Sequence, residues 1–502
     1  MMGTVTPTAY MELERRFARV SLVRDSSAML SWDWATMMPE GAAKARAKQL
    51  AELEMISHER LVDPKIQDLL EHAEQDMKVR SDPWHAANLG QMRQQWRHAN
   101  ALDSSLVESL AKATSECEMV WRTARESRDI REIVPQITSV VTLVREKAQS
   151  MSQVFGMDPY ECLLDQYEQG LRVADIDLLF SDLLDFLPGL LTEIVEKQNK
   201  LPPLVPLTGP FPVSKQQSLN RKFMEVLGFP FDCGRLDTSH HPFSGGTPED
   251  LRITTRYDEC NFMSSLMAVL HETGHALYEK GLPTKWRNQP VGGSLGMAIH
   301  ESQSLLIEMQ VCRSREFMKF AAPRIVDVFG DGVGTLDDSD WVRMLCNVEP
   351  GFIRVEADEV TYPFHIILRY RLEKLLINGE LKVEDLPSAW REGMQELLGI
   401  DPPDDGAGCL QDIHWYGGDF GYFPTYTLGA LTGAQMFSAA TEQNTDILPS
   451  IGLGDFKPLY DWLGPKVHSL GCSLPAFSLI EQATGAPLST KAFKRHLRER
   501  YL

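Results

Sequence analysis

The sequence predicts a mostly α fold: a single large helical body with a central groove and a small antiparallel sheet beside a helix that carries an HExxH pentapeptide. Three observations predict it. Apolar residues recur at helical spacing along most of the 502 residues. Strand-like alternation is confined to one short stretch, and proline and glycine gather in one region, 200–250. From Ala9 to Arg24, Met11, Leu13, Phe17, Val20 and Leu22 mark a first helix. Amphipathic runs over 41–59, 104–126, 128–153 and 174–199 predict further helices, with polar or Pro-containing breaks between them. The 200–250 stretch contains LPPLVPLTGPFP and FDCGRLDTSHHPFSGGTPED. It reads either as a linker or as folded loops beside a site, the latter because it holds His240, His241 and Phe243. In LRITTRY (251–257), Leu251, Ile253 and Thr255 alternate with Arg252 and Thr254, which predicts a strand. A long helix follows from Asp258, an N-cap residue type, to Lys280, with Gly281 at C′ and Pro283 as a stop. Helices near 297–320, 355–378, 384–398, 426–442 and 489–501 complete the chain. No repeat at a solenoid period is present. The chain therefore reads as one unit, 1–502, with a helical part over about 1–200 and the motifs that carry chemistry over about 240–430.

Composition narrows the function. The chain has 50 Lys+Arg against 70 Asp+Glu, a net charge of −20, with 43% hydrophobic residues. An acidic excess argues against nucleic acid, whose binding needs positive faces, and against anionic membranes. The basic run KAFKRHLRER near the end reads as a solvated last helix. No stretch approaches the ~18 apolar residues of a spanning helix. MMGTVTPTAYMELERRFARV has no basic region followed by an apolar run, so no secretory signal is expected. None of the eight cysteines forms a CxxC pair, which suits reduced thiols in a cytoplasmic protein.

The chemistry sits in His271-Glu272-Thr273-Gly274-His275. Residues i and i+4 lie on one helix face, so both imidazoles can bind one ion. Glu272 projects about 100° round the axis, beside the ion, where it can take a proton from water. A third ligand is needed. Tyr278 and Gly281 stand where the metzincin pattern has Gly and His, which excludes that class. Glu279 lies eight residues from His271, roughly 12 Å along the axis, too far to share the ion. The 297–320 helix offers Glu301, Glu308 and Glu316, and spacing does not choose among them.

The chain resembles the carboxypeptidase Taq family of metal-dependent carboxypeptidases nearly end to end, beginning with SWDWATMMPEGAAKARAKQLAELE (31–54). His241-Pro242-Phe243 matches its HPF motif, and the segment from Asp250 to Thr255 matches DxRxT. HETGHALYE (271–279) is similar to its metal helix, and His300-Glu301-Ser302-Gln303 to HES(R/Q). The segment from Ile353 to Asp358 matches IRxxAD, and that from Gly408 to Trp415 matches GxxQDxHW. The resemblance implies His271, His275 and Glu301 as metal ligands and Glu272 as general base. It also implies broad side-chain preference and a homodimer.

Such an enzyme hydrolyses the last peptide bond of peptides with a free C-terminus. The His₂Glu set suits Zn²⁺, and Co²⁺ or Mn²⁺ can occupy similar sites. Recognising a free carboxylate needs a cation, for which Arg354 is preferred over Arg252. Tyr422 and Tyr426, in the glycine-rich GGDFGYFPTYTLGALTG (417–433), are candidate oxyanion donors. His241 and His414 are candidates for contacting substrate or a ligand, with Asp358 and Asp412 as orienters of such histidines. The expected cleft is locally positive, with few carboxylates. Two rival readings are a helical metallo-oligopeptidase with endo- or dipeptidyl activity and a helical binding protein without activity.

Overall fold

Thr8 starts the first helix, its hydroxyl accepting the Met11 N–H at 3.2 Å. The computed structural model describes residues 8–502 apart from Val205 and Thr335. The first helix, Ala9–Thr36, runs well past Arg24. Its Leu13, Phe17 and Val20 join Ile66, Leu70 and Leu89 in an apolar cluster of their own. Further along it, Trp32 is buried against Phe243, ring centroids 4.9 Å apart. Helices Ala43–Leu61, Ser104–Ser127 and Val134–Phe155 follow the expected runs. The 174–199 run divides into Val173–Leu184 and Leu187–Gln198, because Pro188 fits only a first helical turn.

The 200–250 stretch is folded rather than a linker. It contains a helix absent from the sequence reading, Val213–Leu227, whose buried Leu219, Phe223 and Leu227 keep helical spacing among the breakers. It also contributes β1 (Gly234–Thr238) and β2 (Ser244–Thr247). The expected strand is β3 (Asp250–Thr255), the middle of the order β1-β3-β2. β2 pairs antiparallel with β3, Ser244 opposite Ile253, while β1 pairs parallel, Gly234 opposite Leu251. The sheet is therefore mixed, not antiparallel as expected. After β1 the chain crosses to the far edge before turning back to the centre, and alternation within one strand cannot reveal its neighbours.

The HExxH helix is Phe262–Gly281. Asn261 caps it, accepting from Ser264 N at 3.3 Å, and Asp258 instead caps the preceding turn through Cys260 N at 2.8 Å. Gly281 ends the helix without a left-handed turn; a Cβ there would lie 2.7 Å from the His468 ring. The expected 297–320 helix is three pieces: Met297–Leu305, a π-helix over Leu306–Cys312, and Arg315–Phe329. The expected 355–378 helix starts only at Tyr362, after a 3₁₀ turn at Arg354–Glu356. Leu386–Leu398, Pro424–Gln443 and Lys491–Tyr501 lie close to their expected places. The last of these is not merely a solvated face. Phe493, Leu497 and Tyr501 are buried, and His496 and Arg500 turn inward.

Two large apolar cores meet along two of these helices. Met297–Leu305 gives Ala298 to one core and Ile299 to the other. Pro424–Gln443 gives Leu428 and Leu431 to the first and Met436 and Ala440 to the second. Among the described residues no helix is long and apolar enough to cross a membrane. All eight cysteines are free, and Cys260 is the exposed one.

Candidate active site

Burial of Leu266, Val269, Leu270 and Tyr278 fixes the rotation of the HExxH helix. That rotation stacks His271 and His275 one turn apart, with ring centroids at 5.0 Å. Gly274, between them, lets the next helix come close: a Cβ there would lie 2.6 Å from the Gln303 carbonyl. Met297–Leu305 thereby presents Glu301 to both imidazoles. His275 Nε2 is 3.4 Å from one Glu301 oxygen and His271 Nε2 is 3.9 Å from the other. One donor atom from each of the three residues lies within 4.8 Å of the others. Gly429, on Pro424–Gln443, packs under the same glutamate; a Cβ there would lie 2.8 Å from Glu301 Cβ and Cγ.

His271 Nδ1 donates to Glu308 Oε2 at 3.0 Å, which leaves Nε2 to face the cluster. Glu308 accepts in turn from Arg313 at 2.7 Å. Glu272 is buried on the neighbouring face, against Ser244 of β2. His275 stacks on His300 at 4.5 Å, and His300 meets Glu279 at 2.9 Å. Glu316 lies beyond the π-helix, in the first turn of Arg315–Phe329.

The charges in this cluster are strongly displaced. Burial opposes ionisation of Glu301, yet His275 and His271 hold its carboxyl down at about 2. Burial also opposes charge on His271, but Glu308, Glu301 and Glu272 raise it to about 10. Burial and the neighbouring His300 lower His275 to about 4. Burial raises Glu272 to about 7. Three buried carboxylates, Glu272, Glu301 and Glu308, surround the imidazoles, and Arg313 pairs with Glu308 alone of them. The two imidazole Nε2 atoms converge on the Glu301 carboxylate, a His₂Glu donor set that fits a divalent cation.

A second buried group centres on Asp412. Arg354 Nε and Nη2 donate to one of its oxygens at 3.0 and 2.8 Å, and Arg369 Nε to the other at 2.7 Å. Two guanidiniums on one carboxylate leave one positive charge in excess. Arg354 also reaches the Tyr362 hydroxyl at 3.2 Å and lies 4.8 Å over the Tyr426 ring. His414 Nε2 is 3.2 Å from the Tyr426 hydroxyl, and the Tyr422 ring is 5.2 Å from that of Tyr426. The Glu301 charge raises the hydroxyl pKa values of Tyr362, Tyr422 and Tyr426, and Tyr362 and Tyr426 also contact Arg354.

The carboxypeptidase Taq (M32) metallopeptidase model matches residues 12–501. Thermostable carboxypeptidase 1 of Thermus thermophilus is 38% identical, with 99% of each chain covered. Carboxypeptidase 1 of Bacillus subtilis is 32% identical, with 96% of each covered. Among solved structures, Trypanosoma cruzi metallocarboxypeptidase 1 superposes with a TM-score of 0.95 at 40% identity, covering 98% of this chain and 99% of that one. The chain belongs to the carboxypeptidase Taq family.

In this carboxypeptidase Taq chain several expected roles change. Asp358 orients no histidine; its carboxylate braces the turn before the helix Tyr362–Asn378, accepting from Val360 N and Thr361 N, each at 2.9 Å. Asp412 serves the two arginines and makes no hydrogen bond to His414. Arg252 is closed on Asp250, with Nε and Nη2 at 3.0 and 2.7 Å. His241 is exposed, in the loop that leads into β2. Neither Arg252 nor His241 hydrogen-bonds to the imidazole cluster. The site is also not poor in carboxylates. Sequence reasoning named Glu308 only as a ligand candidate, and nothing in the spacing signalled Arg369 or Tyr362. Gly274 and Gly429, each at a close approach of helices, carried a signal that went unread: glycine in a helix interior.

Proposed function

We propose that this metallocarboxypeptidase removes single residues from peptides with a free C-terminus, with His271, His275 and Glu301 holding one divalent cation and Glu272 as general base. The convergence of one donor atom each from His271, His275 and Glu301, with a separate buried carboxyl, Glu272, alongside, carries this reading. A cation bound there supplies Lewis acidity, polarising the scissile carbonyl and lowering the pKa of water. Glu272 takes the proton of the attacking water and returns it to the leaving amine. Tyr426, tied to His414, and Tyr422 are the proposed hydroxyl donors to the developing oxyanion, supported by the effect of the Glu301 charge on both. The excess positive charge around Asp412 supports Arg354 as the partner of the substrate carboxylate, ahead of Arg252. His241 is left for contact with the peptide at the rim. β2 is an edge strand beside Glu272, which suits an extended peptide laid along it.

Zn²⁺ is the metal this donor set favours, with Co²⁺ or Mn²⁺ as substitutes. Eight free thiols support a cytoplasmic setting. The resemblance supports a homodimer, and the two cores shared through common helices support one catalytic unit over 1–502. The test compares a peptide ending in a free carboxylate with its C-terminal amide, with the products sequenced. Single residues should be released from the free form, and kcat/KM should fall at least about 100-fold for the amide. Equal cleavage of both at the same bond would remove the carboxylate clamp, and internal fragments would replace the exopeptidase reading.

A further inference from the structure

The basic run at the last helix is left unexplained by the chemistry above, yet its buried end touches the metal-site scaffold. Arg500 Nη1 donates to the Met309 carbonyl and Nη2 to that of Gln310 at 2.9 Å. Both carbonyls belong to the π-helix Leu306–Cys312. Nη1 also reaches Glu359 Oε2 at 3.3 Å. Glu359 is fully enclosed and accepts from His496 at 2.7 Å, the Tyr501 hydroxyl at 3.2 Å and the Gln310 amide at 3.1 Å. One carboxylate thus fastens the last helix and the π-helix together. The third residue of that π-helix is Glu308, the acceptor for His271 Nδ1.

A π turn is wider than an α turn and rare, occurring mostly as single turns inside helices and often at functional sites, so the contacts that hold this one bear on the site. A guanidinium is suited to this, because its planar fork offers two donors to two neighbouring carbonyls at once. If the segment relaxed to α pitch, Glu308 would rotate about the axis and its oxygen would leave the His271 ring. We propose that Arg500, anchored by Glu359, is a positioning residue for the metal centre, holding Leu306–Cys312 in the π conformation that aims Glu308 at His271. The inference rests on His271 being a ligand, as proposed above.

The test measures Zn²⁺ affinity by chelator competition and the visible absorption of the Co²⁺-loaded protein, with melting temperature recorded alongside. Arg500→Lys comes first, since it keeps the charge and the apolar stem but not the fork; Arg500→Ala is the stronger variant. Zn²⁺ affinity is expected to fall about 10-fold or more in these variants, with a changed Co²⁺ spectrum, as for loss of a group that orients a ligand. Glu308→Gln should fall similarly, and adding the Arg500 change to it should lower affinity little further, because both act through one contact. Unchanged affinity and spectrum in Arg500→Lys and in any folded Arg500→Ala protein would overturn the inference even if the melting temperature dropped. Full additivity with Glu308→Gln would overturn it as well. His271→Ala separates the two levels: retained Zn²⁺ affinity in that variant would refute the ligand reading itself.

Discussion

Two glutamates beside the same imidazoles are driven in opposite directions. Burial is opposed at Glu301 by His275 and His271, which keep it ionised, whereas at Glu272 burial prevails and the carboxyl sits near 7. The first is suited to hold charge and the second to move a proton. Glu272→Gln should therefore bind the ion in unchanged stoichiometry by metal analysis while kcat falls by about 10²–10⁴; a variant with near-normal turnover would sink the base assignment. The place of Glu272 beside the two imidazoles was legible in the sequence, because i,i+4 spacing dictates which side chains share a face. Glu301 was legible only through its motif, since spacing left Glu308 and Glu316 equally eligible. The part played by Glu308 depends on a π turn that no periodicity announces, and Asp412 gave no hint that its partners would be arginines.

The helix Met297–Leu305 is placed as carefully at its start as at its ligand. Met297 N donates to the Tyr167 carbonyl at 2.7 Å and Ala298 N to Glu168 Oε2 at 2.8 Å. Gly296 precedes it at φ 48°, where a Cβ would overlap the Glu168 carboxylate. Burial raises Glu168 from 4.5 to about 8, although the Ala298 N–H opposes the shift. The sign follows from linkage. Below pH 4.5 the carboxyl is neutral in both states and costs nothing; as pH rises towards 8 the unfolded chain ionises first, so stability drains away. Glu168→Gln keeps an acceptor for Ala298 and removes that slope. Its melting temperature relative to the wild type should rise by about 2 °C or more between pH 5 and pH 8; calorimetry showing a difference flat with pH would refute this. At this scale the existence of elements was easier to read than their ends or partners. Asp258 looked like a cap, but Asn261 holds that place, and Val213–Leu227 was hidden among prolines.

Across the whole molecule, the His271–His275–Glu301 cluster includes a residue of a helix that both cores share, so ion binding there should couple to global stability. A strong chelator is expected to abolish peptide hydrolysis and lower the melting temperature, and Zn²⁺, Co²⁺ or Mn²⁺ to restore both. At a free ion concentration 100 times Kd the linkage is worth about 2.7 kcal/mol. Full activity in metal-free protein would contradict the mechanism. The net charge of −20 excluded partners without locating anything; the local balances around Asp412 and His271 depend on which segments meet, which composition does not encode. The free thiols have a practical side too. Cys260 is the most exposed of the eight cysteines, immediately before the Asn261 cap of the helix that bears both imidazoles. A maleimide dye or nitroxide added to the unmodified protein would settle chiefly there. Its distance to a paramagnetic Co²⁺ or Mn²⁺ would then report the loaded site spectroscopically, without an engineered handle.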